Sequence, residues 1–367
     1  MEVIQKITAG RRLRLTIIRQ ERTIIPVAGG KGGIGKTLLT ANLAISLASM
    51  GHKTVVVDLD LGGSNLHTFL GLSGEGPGIG TFMHTGKSRL ETYLTATNWR
   101  NLSFIPGDCN IPFTGNIHHQ TKLRLIRNLL DIPCRYLLLD LGAGSSHNTL
   151  DFFRMSDRGM VVTTPEAASV QNMLGFLSNL IFRVIERALR NNPPTHKALR
   201  QLLRLHGERH APLSVEAILE EIGAIDARAA SDIKKACLRY RPRLVLNMGR
   251  HPDDLLRIEG SFAATRRLLS LYTDPFGFVF DDPTVRESID HGMPLVEFDP
   301  DCTAAKSIAH IAQRIVYVWD KTLNEPDQAL LNHTRKFYEF IQKDARQRSM
   351  RDMLSSPMRN LFPNLFS

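Results

Sequence analysis

The chain has 367 residues, 43% of them hydrophobic and 22% charged, with a formal net charge of +10 and a pI of about 9.6. A packed globular core is expected, as one large α/β domain with additions or two modest domains. The basic balance favours anionic partners (nucleotide, nucleic acid or acidic lipid headgroups) without choosing among them. Four separated cysteines, Cys109, Cys134, Cys237 and Cys302, form no C-x-x-C pair, so neither a zinc nor an iron–sulfur site is indicated. Sparse cysteines fit a reducing cytosol. No apolar stretch nears the roughly 18 residues of a membrane span, and the N-terminus lacks the apolar core of a secretory signal. The expected location is cytoplasmic, at most peripheral at the inner face of the cell membrane.

Residues 1–22 are basic and partly alternating (Arg12-Leu13-Arg14-Leu15), which reads as an accessory strand or hairpin, or an arm for nucleic acid. From residue 23, strands alternate with helices. The apolar run 23–28 leads into Gly29-Gly30-Lys31-Gly32-Gly33-Ile34-Gly35-Lys36-Thr37, and a helical pattern follows from Leu38. Lys53–Asp58, Leu102–Pro106, Arg135–Asp140, Gly159–Thr163, Arg243–Asn247 and Phe276–Phe280 read as further strands. Gln120–Leu130 reads as a helix, with Leu123, Ile126, Leu129 and Leu130 on one face. Pro26 predicts a small distortion of the first strand, because a central strand normally uses every N–H. This alternation predicts a three-layer, doubly wound, mostly parallel sheet.

Residues 168–240 break the rhythm and read as several helices, with 191–240 as a helical insertion. Their Arg183, Arg187, Arg190, Lys197, Arg200 and Arg204 are read either as a solvated helix face or as a binding surface. Two long helices are expected near the C-terminus, at Thr303–Asp320 and Gln328–Gln347. The domain reading is a 1–22 extension, a 23–320 nucleotide domain, and 321–367 as a helix with an amphipathic tail.

Strand, glycine loop and helix come in the order a phosphate cradle requires. In that cradle the backbone of Gly32, Gly33, Ile34, Gly35, Lys36, Thr37 and Leu38 surrounds phosphate. Lys36 reaches the β/γ-phosphates and the Thr37 hydroxyl ligates Mg²⁺. Asp58-Leu59-Asp60 ends the second strand, with Asp60 standing 24 positions after Lys36. Asp140 ends a central strand before Gly142 and Gly144. Carboxylates at such strand ends face the ligand crevice.

The loop Lys31-Gly32-Gly33-Ile34-Gly35-Lys36-Thr37 resembles the deviant Walker A motif of the MinD/ParA family, which implies a SIMIBI-type P-loop fold. Asp60-Leu61-Gly62-Gly63-Ser64-Asn65, Thr163-Thr164-Pro165-Glu166 and Asp282-Pro283-Thr284-Val285-Arg286-Glu287 resemble its FlhG (FleN)-like branch. The resemblance covers about 23–180 and 242–318. It implies that Lys31 reaches the partner subunit's nucleotide across an ATP-dependent homodimer. It also implies that Asp60 orients the attacking water and holds Mg²⁺-bound water, with Asp58 in support. Asp140 holds Mg²⁺ through water, Asn247 meets the adenine edge, and Asp281 closes the base pocket.

The implied function is a slow, partner-stimulated ATPase that positions or counts a cellular machine, flagella being the specific case. The apolar and arginine-rich tail, 350–366, resembles a membrane-binding amphipathic helix, although Pro357 and Pro363 interrupt it; docking on the protein's own surface or a partner is the other reading. The alternative function is a ParA-type ATPase that binds nonspecific DNA. An iron–sulfur carrier of the Mrp type would need a C-x-x-C, and a bacterial tyrosine kinase would need a C-terminal tyrosine cluster.

Overall fold

The computed structural model describes residues 4–5, 16–17, 22–74, 76–86, 89–107, 117–209, 213–323 and 325–355. The rest of the N-terminal extension, Cys109 and the tail beyond residue 355, with the hairpin, arm and membrane readings that fall on them, lie outside the described residues. Strands β1 (Ile4–Gln5) and β2 (Thr16–Ile17) form a small antiparallel ladder. The main sheet comprises β3 (Thr23–Ala28), β4 (Thr54–Leu59), β5 (Thr95–Ala96), β6 (Leu102–Ile105), β7 (Tyr136–Leu141), β8 (Met160–Thr163), β9 (Arg243–Gly249) and β10 (Asp274–Phe280). Its order is β10-β9-β8-β3-β7-β4-β6-β5. All neighbours are parallel except the edge strand β5 against β6.

Fourteen helices link and cover the described strands. They are α1 (Lys36–Ser49), α2 (Leu66–Phe69), α3 (Ile79–Thr85), α4 (His119–Asp131), α5 (His147–Phe153), α6 (Ala167–Ala188) and α7 (Pro193–Arg209). After these come α8 (Val215–Ile225), α9 (Ala227–Arg239), α10 (Asp254–Leu269), α11 (Thr284–Asp290), α12 (Leu295–Phe298), α13 (Thr303–Val318) and α14 (Pro326–Ser355). No described helix is long and apolar enough to cross a membrane.

Both faces of the sheet are covered, so β4 and β7 are buried at every position. Alternate side chains go to opposite cores. Val55, Val57, Leu137 and Leu139 join the layer that includes α4, α5 and α6. Val56, Tyr136 and Leu138 join the layer of α1 and α13. Each such Leu or Val stabilises the fold by about 1.5–3 kcal/mol relative to exposure. Helix α1 is buried nearly all round, which forces its polar residues to find partners inside the helix. Thr40, Asn42 and Ser46 each donate to the carbonyl four residues back, at 2.8 Å.

Pro26 does not distort its strand. The register of β3 with β7 runs unshifted from Thr23 to Val27, and β8 joins only at Val27. On that flank Pro26 precedes the pairing, so its missing N–H costs no ladder bond. The irregularity lies elsewhere, in register shifts between β9 and β10. Most of the described residues of 191–240 lie in α7, α8 and α9. Helices α8 and α9 bury Ile218, Ile222, Ile233 and Cys237 in the same core as α6.

Candidate functional site

The glycine loop joins β3 to α1 at the C-terminal edge of the sheet. Its last residue before the helix, Gly35, has φ +80°, where an L side chain is strained. Space forbids one as well: a Cβ would lie 2.3 Å from Asn247 Nδ2. Gly30 is fixed by packing, since a Cβ there would lie 2.1 Å from the Asn172 carbonyl oxygen of α6. Gly32 and Gly33 are exposed with open space around them, so the mouth of the loop faces outward. The N-terminus of α1 has no side-chain cap and no acidic residue in its first turn. Its orphan N–H groups and positive dipole end are thereby left for an anion.

The register aligns Asp58 with Asp140 on neighbouring strands, and both are fully buried. Asp140 receives a hydrogen bond from the Thr37 hydroxyl, while Thr40 Oγ1 lies 3.3 Å from its Oδ1. Its Oδ2 is buried without a hydrogen-bond partner. Burial, and next the Asp58 charge, push Asp140 up to about 8 against the opposing pull of Thr37 and Lys36. Lys36 is itself buried. Desolvation lowers its pKa, opposed by the charges of Asp140 and Asp60. These groups therefore sit in a low-dielectric setting, where an added charge interacts strongly.

Asp58 organises the loop that follows it. Its Oδ1 accepts from Asp60 N at 3.0 Å, and its Oδ2 accepts from Ser64 Oγ at 2.6 Å and Leu66 N at 3.1 Å. Burial still raises its pKa above the usual carboxylate range. Asp60 is half-buried and lies over the glycine turn; a Cβ on Gly142 would stand 3.0 Å from Asp60 Oδ1. That turn is tied to the phosphate loop, because Gly144 N donates to Gly29 O at 3.0 Å. Lys36, Thr37, Asp58, Asp60 and Asp140 are thus brought together with Gly142–Gly144.

Other expected residues are placed differently. Asn247, buried on β9, donates from Nδ2 to Ile34 O at 2.8 Å, so its amide braces the loop from below. Leu38 is buried in α1, and a ligand could reach only its backbone. Asp281 is exposed, with its N–H on Gly249 O and its carboxylate paired to Arg250 at 3.2 Å. It is not bonded to the loop. Lys31 is half-exposed at the mouth, close enough to help hold Glu166 below the usual range after the hydrogen bond from Thr164.

Two contributors were missed from sequence. Thr40 bridges α1 to Asp140, and the available signal was its position three residues past Thr37 on one helix face. Ser64 anchors the Asp60 loop to Asp58, with no signal beyond its nearness in sequence.

A buried carboxylate oxygen without a partner, beside a hydroxyl and a second carboxylate, makes a hard-oxygen donor set that suits Mg²⁺. Residues 20–175 match the family model described as ParA: NUBPL iron-transfer P-loop NTPase. The eight-stranded, mostly parallel sheet with flanking helices resembles the fold of solved MinD and ParA-family structures. The septum site-determining protein MinD of Helicobacter pylori is 33% identical to this chain over 150 residues, covering 41% of this chain and 55% of that protein. The chain spans about half the length of the curated relatives it matches. The Pyrococcus horikoshii MinD structure, solved with Mg-ADP, superposes with a TM-score of 0.50 at 18% identity, covering 82% of this chain and all of that one. A ParA family ATPase from Chlorobium tepidum gives 0.51 at 19% identity over 80% of this chain and 99% of its own.

Proposed function

We propose that this chain is an ATP-binding, slowly hydrolysing dimerisation switch of the MinD type. The observation that carries the reading is the uncapped helix behind a glycine loop, set against a buried carboxylate whose Oδ2 lacks a partner. The N–H groups of residues 32–38 would bind the phosphates of ATP, and Lys36 would neutralise them from within the subunit. Thr37 and Asp140, with Asp60 beyond them, would hold Mg²⁺, which when bound neutralises the β/γ oxygens. Asp60 would orient the attacking water; Asp58 fixes the backbone that presents it.

Lys31 completes the reading as a deviant Walker A lysine. It stands half-exposed at a mouth that no described residue covers, so it is free to meet the nucleotide of a second subunit. Dimerisation then depends on the γ-phosphate, which ADP lacks. Asn247 and Asp281, at the ends of neighbouring strands, would border the base. The FlhG-like phrases support a positioning role, with flagella as the specific case and a protein partner stimulating hydrolysis. Iron transfer is not proposed: Cys134, Cys237 and Cys302 are scattered, and burial raises their thiols to about 11, 12 and 11.

Membrane attachment through 350–366 and binding to nonspecific DNA remain the two surfaces such a switch could use. Co-sedimentation of the full chain with anionic liposomes, and separately with DNA, with ATP or ADP, tests the proposal. ATP should change partitioning onto one surface, and Lys31→Ala should abolish that change. Partitioning and oligomeric state both indifferent to ATP would defeat the switch.

A further inference from the structure

Helix α6 begins beside the glycine loop and runs 22 residues. At 1.5 Å per residue it carries the chain about 33 Å away. Around its far end, with α4 and α7, lies an open cleft of about 220 Å³ lined by His119, Arg183, Glu186, Arg187, Arg190 and His196. Its distance along α6 makes it separate from the nucleotide site. Arg183 and Arg187, four residues apart on α6, share one face, and Arg190 joins them from the turn just past the helix end.

The charges there are unbalanced. Asp151, buried on α5, takes Arg183 at 3.1 and 3.0 Å, Lys122 at 2.6 Å and Arg154 at 3.5 Å. Arg183 also holds Glu186 at 2.7 Å. Among the described residues, Lys122, Arg154 and Arg183 pair with the carboxylates Asp151 and Glu186, while Arg187 and Arg190 bring two further cations to the cleft. Among the described residues, neither the Arg187 nor the Arg190 side chain has a hydrogen-bond or ion-pair partner. Arg187 is half-buried, and its pKa is lowered first by desolvation and then, against the pull of Asp151, by the charges of Arg154, Arg183 and Arg190. The C-terminal dipole of α6 favours cations. It supplies no acceptor for their N–H groups.

We propose that this cleft binds a phosphate monoester, with Arg187 and Arg190 as its main ligands and His119 and His196 at its sides. Guanidinium forks match phosphate oxygens bidentately. The concave shape takes one terminal phosphate and the atoms next to it. Duplex phosphates lie on a convex backbone and suit a flat or ridged basic face instead. The monoester is carried either by a soluble metabolite or by a lipid headgroup such as phosphatidic acid.

The experiment uses the full chain and an Arg187→Gln/Arg190→Gln variant. Glycerol 1-phosphate binding is measured by calorimetry. Vesicles of phosphatidylcholine with and without phosphatidic acid, and a short duplex DNA, are tested by co-sedimentation. Binding of glycerol 1-phosphate assigns a soluble source, and binding only to phosphatidic acid vesicles a lipid source. In either case the variant should bind at least about tenfold more weakly, or 1.4 kcal/mol, at an unchanged melting temperature. Phenylglyoxal labelling of Arg187 and Arg190 in the unmutated chain should also slow when the bound probe is present, a readout independent of how the variant folds. The proposal is overturned if neither probe binds, if the variant binds equally, if labelling is unaffected, or if only DNA binding depends on these arginines.

Discussion

The two ends of the main sheet treat buried charge in opposite ways. At the N-terminal end of β9 and β10, Arg243 is fully buried, yet it pairs with Asp274 and donates to the carbonyls of Trp319 and Lys321, each at 2.7 Å. Only its Nε lacks a partner. At the C-terminal end, two carboxylates lie side by side, one has an orphan oxygen, and both titrate above the usual range. Burial of a charge with partners specifies structure; burial of charge without them leaves a site that only an incoming ligand completes.

The contrast can be broken by substitution at each end. Asp274→Ala strands Arg243 in the interior and should lower unfolding free energy by about 3–5 kcal/mol in urea titrations. A loss below 1 kcal/mol would show that water reaches that end. Lys36→Ala removes the cation proposed to neutralise the phosphates and should reduce kcat for ATP hydrolysis by about 10²–10³-fold. If turnover survives at near the unmutated rate, Lys36 does not act on the transferred phosphate.

Asp151 extends the comparison to a third buried carboxylate. Burial pushes it up, but Arg183 and Lys122 outweigh that and hold it at about 2. Its folded value is below the unfolded one, so the unfolded chain binds the extra proton. Its stabilisation is full above about pH 5 and lost as pH falls from about 4 through 2. Asp151→Asn should flatten the melting-temperature profile in that window; an unchanged acid limb would contradict the assigned pairing. The smallest effect is expected at Ser64→Ala, about 0.5–1.5 kcal/mol, with faster hydrogen exchange at Leu66 N.

The difference between the ends also explains what the sequence made legible. The glycine loop is one contiguous stretch between a strand and a helix, so its local pattern was enough to place it between β3 and α1. Asp58, Asp60 and Asp140 were legible because strand ends in a parallel sheet converge on one crevice. The partners that satisfy charge are remote: Arg243 and Asp274 are 31 residues apart, and Asn247 braces a carbonyl 213 residues away. Pro26 misled because only the order of strands shows that β8 joins after it. Arg187 and Arg190 were visible as residues, but their cleft exists only once the fold brings His119 of α4 and His196 of α7 to its rim.

The most direct test of the account is sedimentation of the full-length Asp60→Ala chain with ATP and Mg²⁺. Loss of the water-orienting carboxylate should trap the nucleotide-bound state as a dimer. The same chain with ADP, and an Asp60→Ala/Lys31→Ala chain with ATP, should sediment as monomers. A monomer under all three conditions, or a dimer that ignores both nucleotide and Lys31, would contradict the claim that this loop is the contact of a switch.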